Sequence, residues 1–323
     1  MNNNISTKKK LINFLTVWRA LIILLLMCVV ASIIAPSFLS VGNLFNVIRQ
    51  ISVVAIIGCG MTFVILTGGI DLSVGSIVGL AGVLAAGVLA ATDNVFLAVG
   101  IGVVIGIACG IVNGFFVSVC GIPPFIATLG MMTLLRGCVL VYTGGKPIPI
   151  KNDIYKYIGK GEPLGIPLPI IMLVIIFIIA YVILTYTRFG RSVYAFGGNR
   201  EAARLSGIPV IKTEWLVYII NGFLCGIAGV ILTARLGSAQ STNGTGYELD
   251  AIAAVILGGT SLSGGTGFVL PTVVGALIMG IIDNILTLLN VNPHATNIVK
   301  GAVILIAVLA DKKVKDLSAK VED

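Results

Sequence analysis

Two carboxylates, Glu248 and Asp250, stand directly before an apolar run in the segment GYELDAIAAVILGGTSLSGG (residues 246–265). A third, Asp71, follows a glycine pair in LTGGIDLSVGS (66–76), with Ser73 two residues on. Carboxylates and hydroxyls in apolar surroundings suit two tasks. They can cap the amide end of a helix, or they can hydrogen-bond a polar solute crossing a membrane. Both tasks stay open for Asp71 and Ser73. Asp250 is read first as a cap of the helix over 251–257, with a pathway role as the alternative. Glu248 lacks a capping role and is the stronger interaction candidate. A helix over 251–257 reaches only about 10 Å, whereas a bilayer core is about 30 Å thick. The segment therefore reads as a discontinuous membrane element, broken by GGTSLSGGTG.

Covalent chemistry finds no support in the sequence. There is no G-x-x-x-x-G-K-[ST] loop; the GGK at 144–146 runs into Pro147 without the upstream spacing. No dinucleotide fingerprint, nucleophile triad or zinc spacing occurs, and the single histidine, His294, falls in a link between apolar segments. No catalytic residue and no metal site are assigned. If the chain moves a solute uphill, the energy comes from an ion gradient or from a separate subunit.

The elements that must position these residues lie in lipid. Hydrophobic residues make up 57% of the 323 residues and charged residues 11%, with a mean hydropathy of +1.09; a soluble domain carries about 25% charged residues. Apolar windows predict about ten membrane segments, near 17–35, 44–67, 74–92, 95–119, 124–143, 168–187, 214–236, 250–262, 266–290 and 295–311. The first resembles a signal peptide but is followed by further spans, so an uncleaved helix is expected. The six cysteines contain no C-x-x-C pair and read as small packing residues.

The net charge of +8 points to topology, and no nucleic-acid partner is expected. Basic residues cluster at Lys8, Lys9, Lys10 and Arg19, at Arg188, Arg191, Arg200, Arg204 and Lys212, and at Lys312, Lys313, Lys315 and Lys320. The positive-inside rule puts all three clusters in the cytoplasm. An even number of segments separates each cluster from the next, as this requires. The loop with Lys146, Lys151, Lys156 and Lys160 competes and is placed outside. The expected organisation is one transmembrane domain over 1–323. It has a cytoplasmic N-terminal tail (1–16), a cytoplasmic loop (188–213) and a cytoplasmic C-terminal tail (312–323).

An internal echo suggests two halves. GIVNGFFVSVCGIPPF (110–125) and GIIDNILTLLNVNPHA (280–295) align Gly110 with Gly280 and Pro123 with Pro293. GGIDLSVGSIVGLAG (68–82) pairs with YELDAIAAVILGG (247–259). Two five-helix halves would have opposite orientation, which is an inverted repeat with its pathway at the repeat interface; the alternative is low-complexity apolar sequence matching itself. Gly102, Gly106, Gly110 and Gly114 recur four apart and present one flat helix face for close packing. Arg136, Lys300 and Asp283 sit inside apolar windows and are expected to face the interior and find partners, with Arg136 a candidate partner of Asp71. In the loop TRFGRSVYAFGGNREAARLSGIPVIKTEW (187–215), Ala202 to Leu205 favour a short helix that Gly207 can end. It would make a docking knob for a cytoplasmic partner.

Four blocks carry a family resemblance: NLFNVIRQISVVAIIGCGMTFVILTGGIDLSVGS (43–76), PFIATLGMMTLLRG (124–137), RFGRSVYAFGGNREAARLSGI (188–208) and GTGYELDAIAAVILGGTSLSGGTG (244–267). Together they closely resemble the membrane permease of bacterial ribose-type sugar ABC importers, over about residues 18 to 311. Relatives in that group carry ribose, xylose, arabinose, galactosides or autoinducer-2, and more distant ones carry branched-chain amino acids. The resemblance implies an all-α polytopic permease in the bacterial inner membrane. It also implies a dimeric pore, expected as a homodimer, an external sugar-binding protein and a pair of ATP-binding subunits inside. ATP and Mg would be held by those subunits, and no cofactor by this chain. Glu201, Ala202, Ala203 and Gly207 match the E-A-A-x-x-x-G coupling element of such permeases, while the Ile-x-Leu-Pro that follows it in other classes is missing. The substrate implied is a pentose, ribose first; another sugar, or an ion-coupled secondary transporter, are the alternatives.

Overall fold

Apolar runs without access to water must satisfy their backbone groups internally, so they fold as helices. The computed structural model describes residues 20–322. In chain order the helices are α1 (Ala20–Ile34), α2 (Val41–Leu66), α3 (Val74–Thr92), α4 (Val95–Gly114, continued by a π turn over Phe115–Val119), α5 (Pro124–Thr143), α6 (Asp153–Lys160), α7 (Leu168–Tyr186), α8 (Arg188–Gly198), α9 (Arg200–Leu205), α10 (Val210–Leu236), α11 (Tyr247–Leu257), α12 (Leu270–Leu288) and α13 (Pro293–Glu322). A two-residue ribbon pairs β1 (Ile148–Pro149) with β2 (Ser238–Ala239). Helices α2, α3, α4, α5, α7, α10 and α12 are each long and apolar enough to cross a membrane. With α1, α11 and α13 they make up the ten expected segments, and the chain is an all-α polytopic membrane protein.

Starts and stops follow local chemistry. Ser40 accepts a hydrogen bond from Asn43 N to open α2, and Asn94 accepts one from Leu97 N to open α4. Prolines stand in the first turns of α5, α7 and α12, where a missing N–H costs nothing. Some expectations shift. His294 lies in the first turn of α13, not in a link, and α13 runs through the expected tail to Glu322. Helix α10 starts at Val210, four residues earlier than the apolar window. Lys8, Lys9, Lys10, Arg19 and the tail 1–16 lie outside the described residues.

The helices share two end faces. Helix α2 carries in its first half Arg49, which pairs with Glu162 in the segment after α6. It ends at Leu66, whose carbonyl accepts from Gly265 N at 2.9 Å beside Gly197 of α8. Helix α10 runs the other way, from α9 to Gly237, whose carbonyl accepts from Ile150 N at 2.9 Å beside the ribbon. One face therefore holds the ribbon, α6 and the Asn152–Asp93 hydrogen bond of 2.8 Å. The opposite face holds α8, α9 and the segment 258–269. Lys151, Lys156 and Lys160 lie at the ribbon face, away from the basic cluster of α8 and α9.

Helices α2, α3 and α10 form the buried centre, while α4, α5 and α7 turn apolar surface outward. The glycine face of α4 lies against α10. A methyl on Gly106 would overlap Gly222 O, one on Gly110 would overlap Tyr218 O, and Gly102 and Gly114 meet Val230 and Trp215. The packing also repeats. Helix α10 packs on α3 and α4 as α2 packs on α11 and α12; α3 packs on α5 as α11 packs on α13; and α2 and α10 meet each other. Because α2 and α10 are antiparallel, the two halves are inverted.

Candidate functional site

Each half contains a break, and the carboxylates sit at the breaks. Between α2 and α3 the chain is non-helical over 67–73, and Asp71 in that turn is only 1% exposed. A carboxylate this far from water needs donors. Asp71 Oδ1 accepts from Ser73 N at 2.8 Å and Ser73 Oγ at 2.6 Å. Its Oδ2 accepts from Asn221 Nδ2 at 2.8 Å and Asn113 Nδ2 at 3.4 Å, and Asn113 Nδ2 also donates to Ser73 Oγ at 2.7 Å. Asn221 comes from α10 and Asn113 from α4, so one carboxylate ties three segments together. Ser73 occupies the N-cap position of α3 but makes no side-chain cap bond to it; its hydroxyl serves Asp71 instead. Tyr218 Oη lies beside Gly69, buried and without a hydrogen-bond partner among the described residues.

The second break runs from Gln240 to Gly246, between β2 and α11. Its depth follows from α3. Gly75 would meet Gly244 O and Glu248 Oε2 if it carried a methyl, and the far end of α3, at the ribbon face, is about 27 Å of helix rise away. The break therefore dips from the ribbon face deep into the bundle. Helix α11, 11 residues long and about 16 Å, completes the crossing. Gly246, with φ +83, is its N-cap and supplies no side chain. The partly positive N-terminus of this half-helix thus opens inside the protein.

Asp250 does not cap α11. It sits within the first turn, is 3% exposed, and its Oδ2 accepts from Lys300 Nζ of α13 at 2.9 Å. Lys300 Nζ also pairs with Asp283 Oδ2 of α12 at 2.9 Å. The capping expectation fails because α11 begins at Tyr247, three residues earlier, which puts Asp250 inside the helix. The triad fastens α11, α12 and α13 at one point. The next residue of α12, Asn284, exchanges reciprocal amide hydrogen bonds of 2.9 and 2.8 Å with Asn43.

Glu248 is half-buried. Its Oε1 accepts from Gly246 N at 3.3 Å, and its Oε2 is buried without a partner among the described residues. Arg136 is not the partner of Asp71. Its Nη1 donates to Ser241 O at 3.3 Å and Asn243 O at 3.0 Å, holding the second break open. Sequence reasoning placed Arg136 inside but missed Asn113, Asn221 and Asn243. Uncharged amides in apolar runs give a weak signal, although Asn113 occupies the repeat position of Asp283.

The chain's other candidate surface lies at the face opposite the ribbon. Asn199 Oδ1 accepts from Ala202 N at 2.9 Å and so caps α9. Glu201 and Arg204, both exposed, pair at 2.6 Å, and this contact holds the Glu201 carboxyl below the usual carboxylate range. Ala202 is exposed, Ala203 packs with Phe196 and Val210, and Gly207 turns the chain with φ +81. Helix α8, within the expected loop 188–213, supports α9, and Arg200 lies over the Phe196 ring at 5.2 Å. Beside α9 an open apolar groove of about 990 Å³ runs between Arg204, Pro209, Lys212, Trp215 and Ile111. The arrangement offers polar side chains inside a membrane bundle and a small exposed helix at one end. Among the described residues no cluster could hold a metal ion.

Comparison with known proteins agrees with this architecture. The model of the family described as branched-chain amino acid transport system / permease component matches residues 43–308. The ribose import permease protein RbsC of Escherichia coli (strain K12) is 49% identical over 299 residues, covering 91% of this chain and 93% of that protein. RbsC of Bacillus subtilis (strain 168) is 48% identical, covering 90% of this chain and 91% of its own length. The L-arabinose transport system permease protein AraH of Escherichia coli (strain K12) is 36% identical, covering 90% and 89%. No solved structure matches the chain.

Proposed function

The chain belongs to the family of branched-chain amino acid transport system permease components, and on that premise we propose that it is the transmembrane subunit of an ATP-driven importer of ribose. The observation that carries the substrate is the gap in identity. The ribose permeases reach 48–49% over nine-tenths of the chain, while the arabinose permease reaches 36% over the same span. The geometry supports a solute that is polar and uncharged. Hydroxyls, amides and carboxylates gather at two helix breaks in an apolar bundle, and such breaks form the binding regions of inverted-repeat transporters.

In this reading two copies of the chain form the pore in the bacterial plasma membrane, with both termini in the cytoplasm. An external binding protein delivers the sugar at the ribbon face. ATP-binding subunits dock at the opposite face, where the exposed helix α9 presents Glu201, Ala202 and the turn at Gly207. ATP binding and hydrolysis there shift α9. Through α8 and α10, which pack against it, the shift re-orients the two halves about α2 and α10. Asp71 and Ser73 at the first break, and Glu248 and Asp250 at the second, border the pathway whose access alternates. The chain supplies the path and the lever, and its partner supplies the chemistry.

The substrate assignment is tested by competition uptake in cells that depend on this permease. Unlabelled ribose should abolish uptake of labelled ribose, and equal xylose, arabinose or galactose should not. Another sugar competing better than ribose would replace the assignment.

A further inference from the structure

Polar groups around the second break remain short of partners. We infer that Arg136, Asn243 and Glu248 form a subsite that binds hydroxyl groups of the sugar in transit. The inference rests on the sugar-permease reading above and names residues within it. All three face one surface of α3. A methyl on Gly75 would overlap Glu248 Oε2 and Gly244 O, and one on Gly79 would lie 2.8 Å from Asn243 O and 3.4 Å from Arg136 Nη1. Gly75 and Gly79 are one turn apart, so the carboxylate and the guanidinium stand about 6 Å apart along α3. Opposite charges inside a low-dielectric bundle are expected to close into an ion pair, yet Glu248 and Arg136 form no ion pair among the described residues.

Buried polar atoms in this region lack partners among the described residues. Asn243, 6% exposed, has an amide Nδ2 without a partner among the described residues, and so does Glu248 Oε2. Ser76 Oγ, next to Gly75, is also buried and unpartnered among those residues. The set combines a carboxylate acceptor, an amide donor and a guanidinium. A polyhydroxylated ring needs this mixture, because each of its hydroxyls both donates and accepts. A phosphate or a carboxylate would meet Glu248 and be repelled. Gly75 and Gly79 let Gly244, Glu248 and Asn243 pack directly on α3, since a methyl on either would overlap them. The subsite also lies at the N-terminus of α11, deep in the bundle, where a discontinuous helix opens to solute.

The test measures uptake of ribose and of its 2-, 3- and 5-deoxy analogues by the full importer carrying Glu248→Gln or Arg136→Lys, at membrane levels matched by immunoblot. Wild-type uptake of ribose is the first arm; its absence would overturn the ribose reading itself. Given that arm, a charged hydrogen bond to a hydroxyl predicts a loss of about tenfold or more for ribose. It also predicts no comparable further loss for the deoxy analogue lacking that hydroxyl. A purely structural role would lower all four sugars alike and would overturn the subsite, as would unchanged uptake. If either variant fails to reach the membrane, Asn243→Ser probes the same subsite by the same uptake series: a loss confined to sugars that keep the hydroxyl supports it, and a uniform loss or none overturns it.

Discussion

Asn221 Nδ2 donates to Asp71 Oδ2 at 2.8 Å across 150 residues of chain, in a place where Asn221 is fully buried and Asp71 is 1% exposed. The pair joins α10 to the first break. Asn113, the other amide on Asp71 Oδ2, occupies the repeat position of Asp283. In the second half Asp283 is linked to Asp250 through Lys300. The same positions of the two halves thus hold a polar hub each: one is built from amides around a carboxylate, the other from a cation between two carboxylates.

Removing the acceptor of the first hub strands its donors. Asp71→Ala should lower stability by at least about 2 kcal/mol, because buried donors lose their partner without regaining water. Asp71→Asn keeps one acceptor oxygen and should lose less. Thermal unfolding of the purified protein, followed by fluorescence, checks the order wild type, Asn, Ala; an alanine variant as stable as wild type would remove the hub.

The second hub behaves as a buried ion network. Lys300→Met leaves Asp250 and Asp283 without their cation and should cost about 3–5 kcal/mol. Adding Asp250→Asn and Asp283→Asn to Lys300→Met removes the uncompensated charge and should recover most of that loss. The same unfolding assay on the single and triple variants decides it, and equal losses in both would refute the network.

Close packing of α4 on α10 makes a graded prediction. Gly106→Ala forces a methyl onto Gly222 O and should cost about 1–3 kcal/mol. Gly130→Ala, which meets nothing within 4 Å, should be silent. Folded yield from membranes separates the two.

Much of this plan is readable in the chain because lipid simplifies the rules. Long apolar runs must be helices, so the apolar windows fall within a few residues of α2 to α5, α7 and α12. The glycine spacing of α4 reads as a packing face because four-residue spacing puts side chains on one face. Partners cannot be read this way. Asp250 resembles a cap because the sequence shows a carboxylate before an apolar run and does not show Lys300 arriving from 50 residues away. Arg136 could meet Asp71 or backbone carbonyls, and only the fold of the segment 240–246 decides for carbonyls. Helix α8 escapes notice because Gly190, Gly197 and Gly198 in eleven residues argue against a helix, although its apolar residues share one face.

The lever at α9 depends on its cap. Asn199→Ala removes the bond to Ala202 N and should cost about 1 kcal/mol of local stability, loosening a short helix without changing insertion. Glu201→Lys should go further: it breaks the Arg204 pair and reverses the charge that the docking partner meets. ATP hydrolysis and sugar uptake should then come apart, read as sugar imported per ATP. A normal ratio in Glu201→Lys would remove α9 as the coupling element.

In the proposed function this chain carries the sugar and a partner supplies the energy. Uptake of labelled ribose into proteoliposomes holding the permease tests that division most directly. The vesicles are prepared with and without the ATP-hydrolysing partner, with the binding protein outside, ATP supplied at the partner's face and a protonophore added in parallel. Uptake is expected only when partner and ATP are both present, with no effect of the protonophore. Uptake by the permease alone, collapsed by the protonophore, would contradict it.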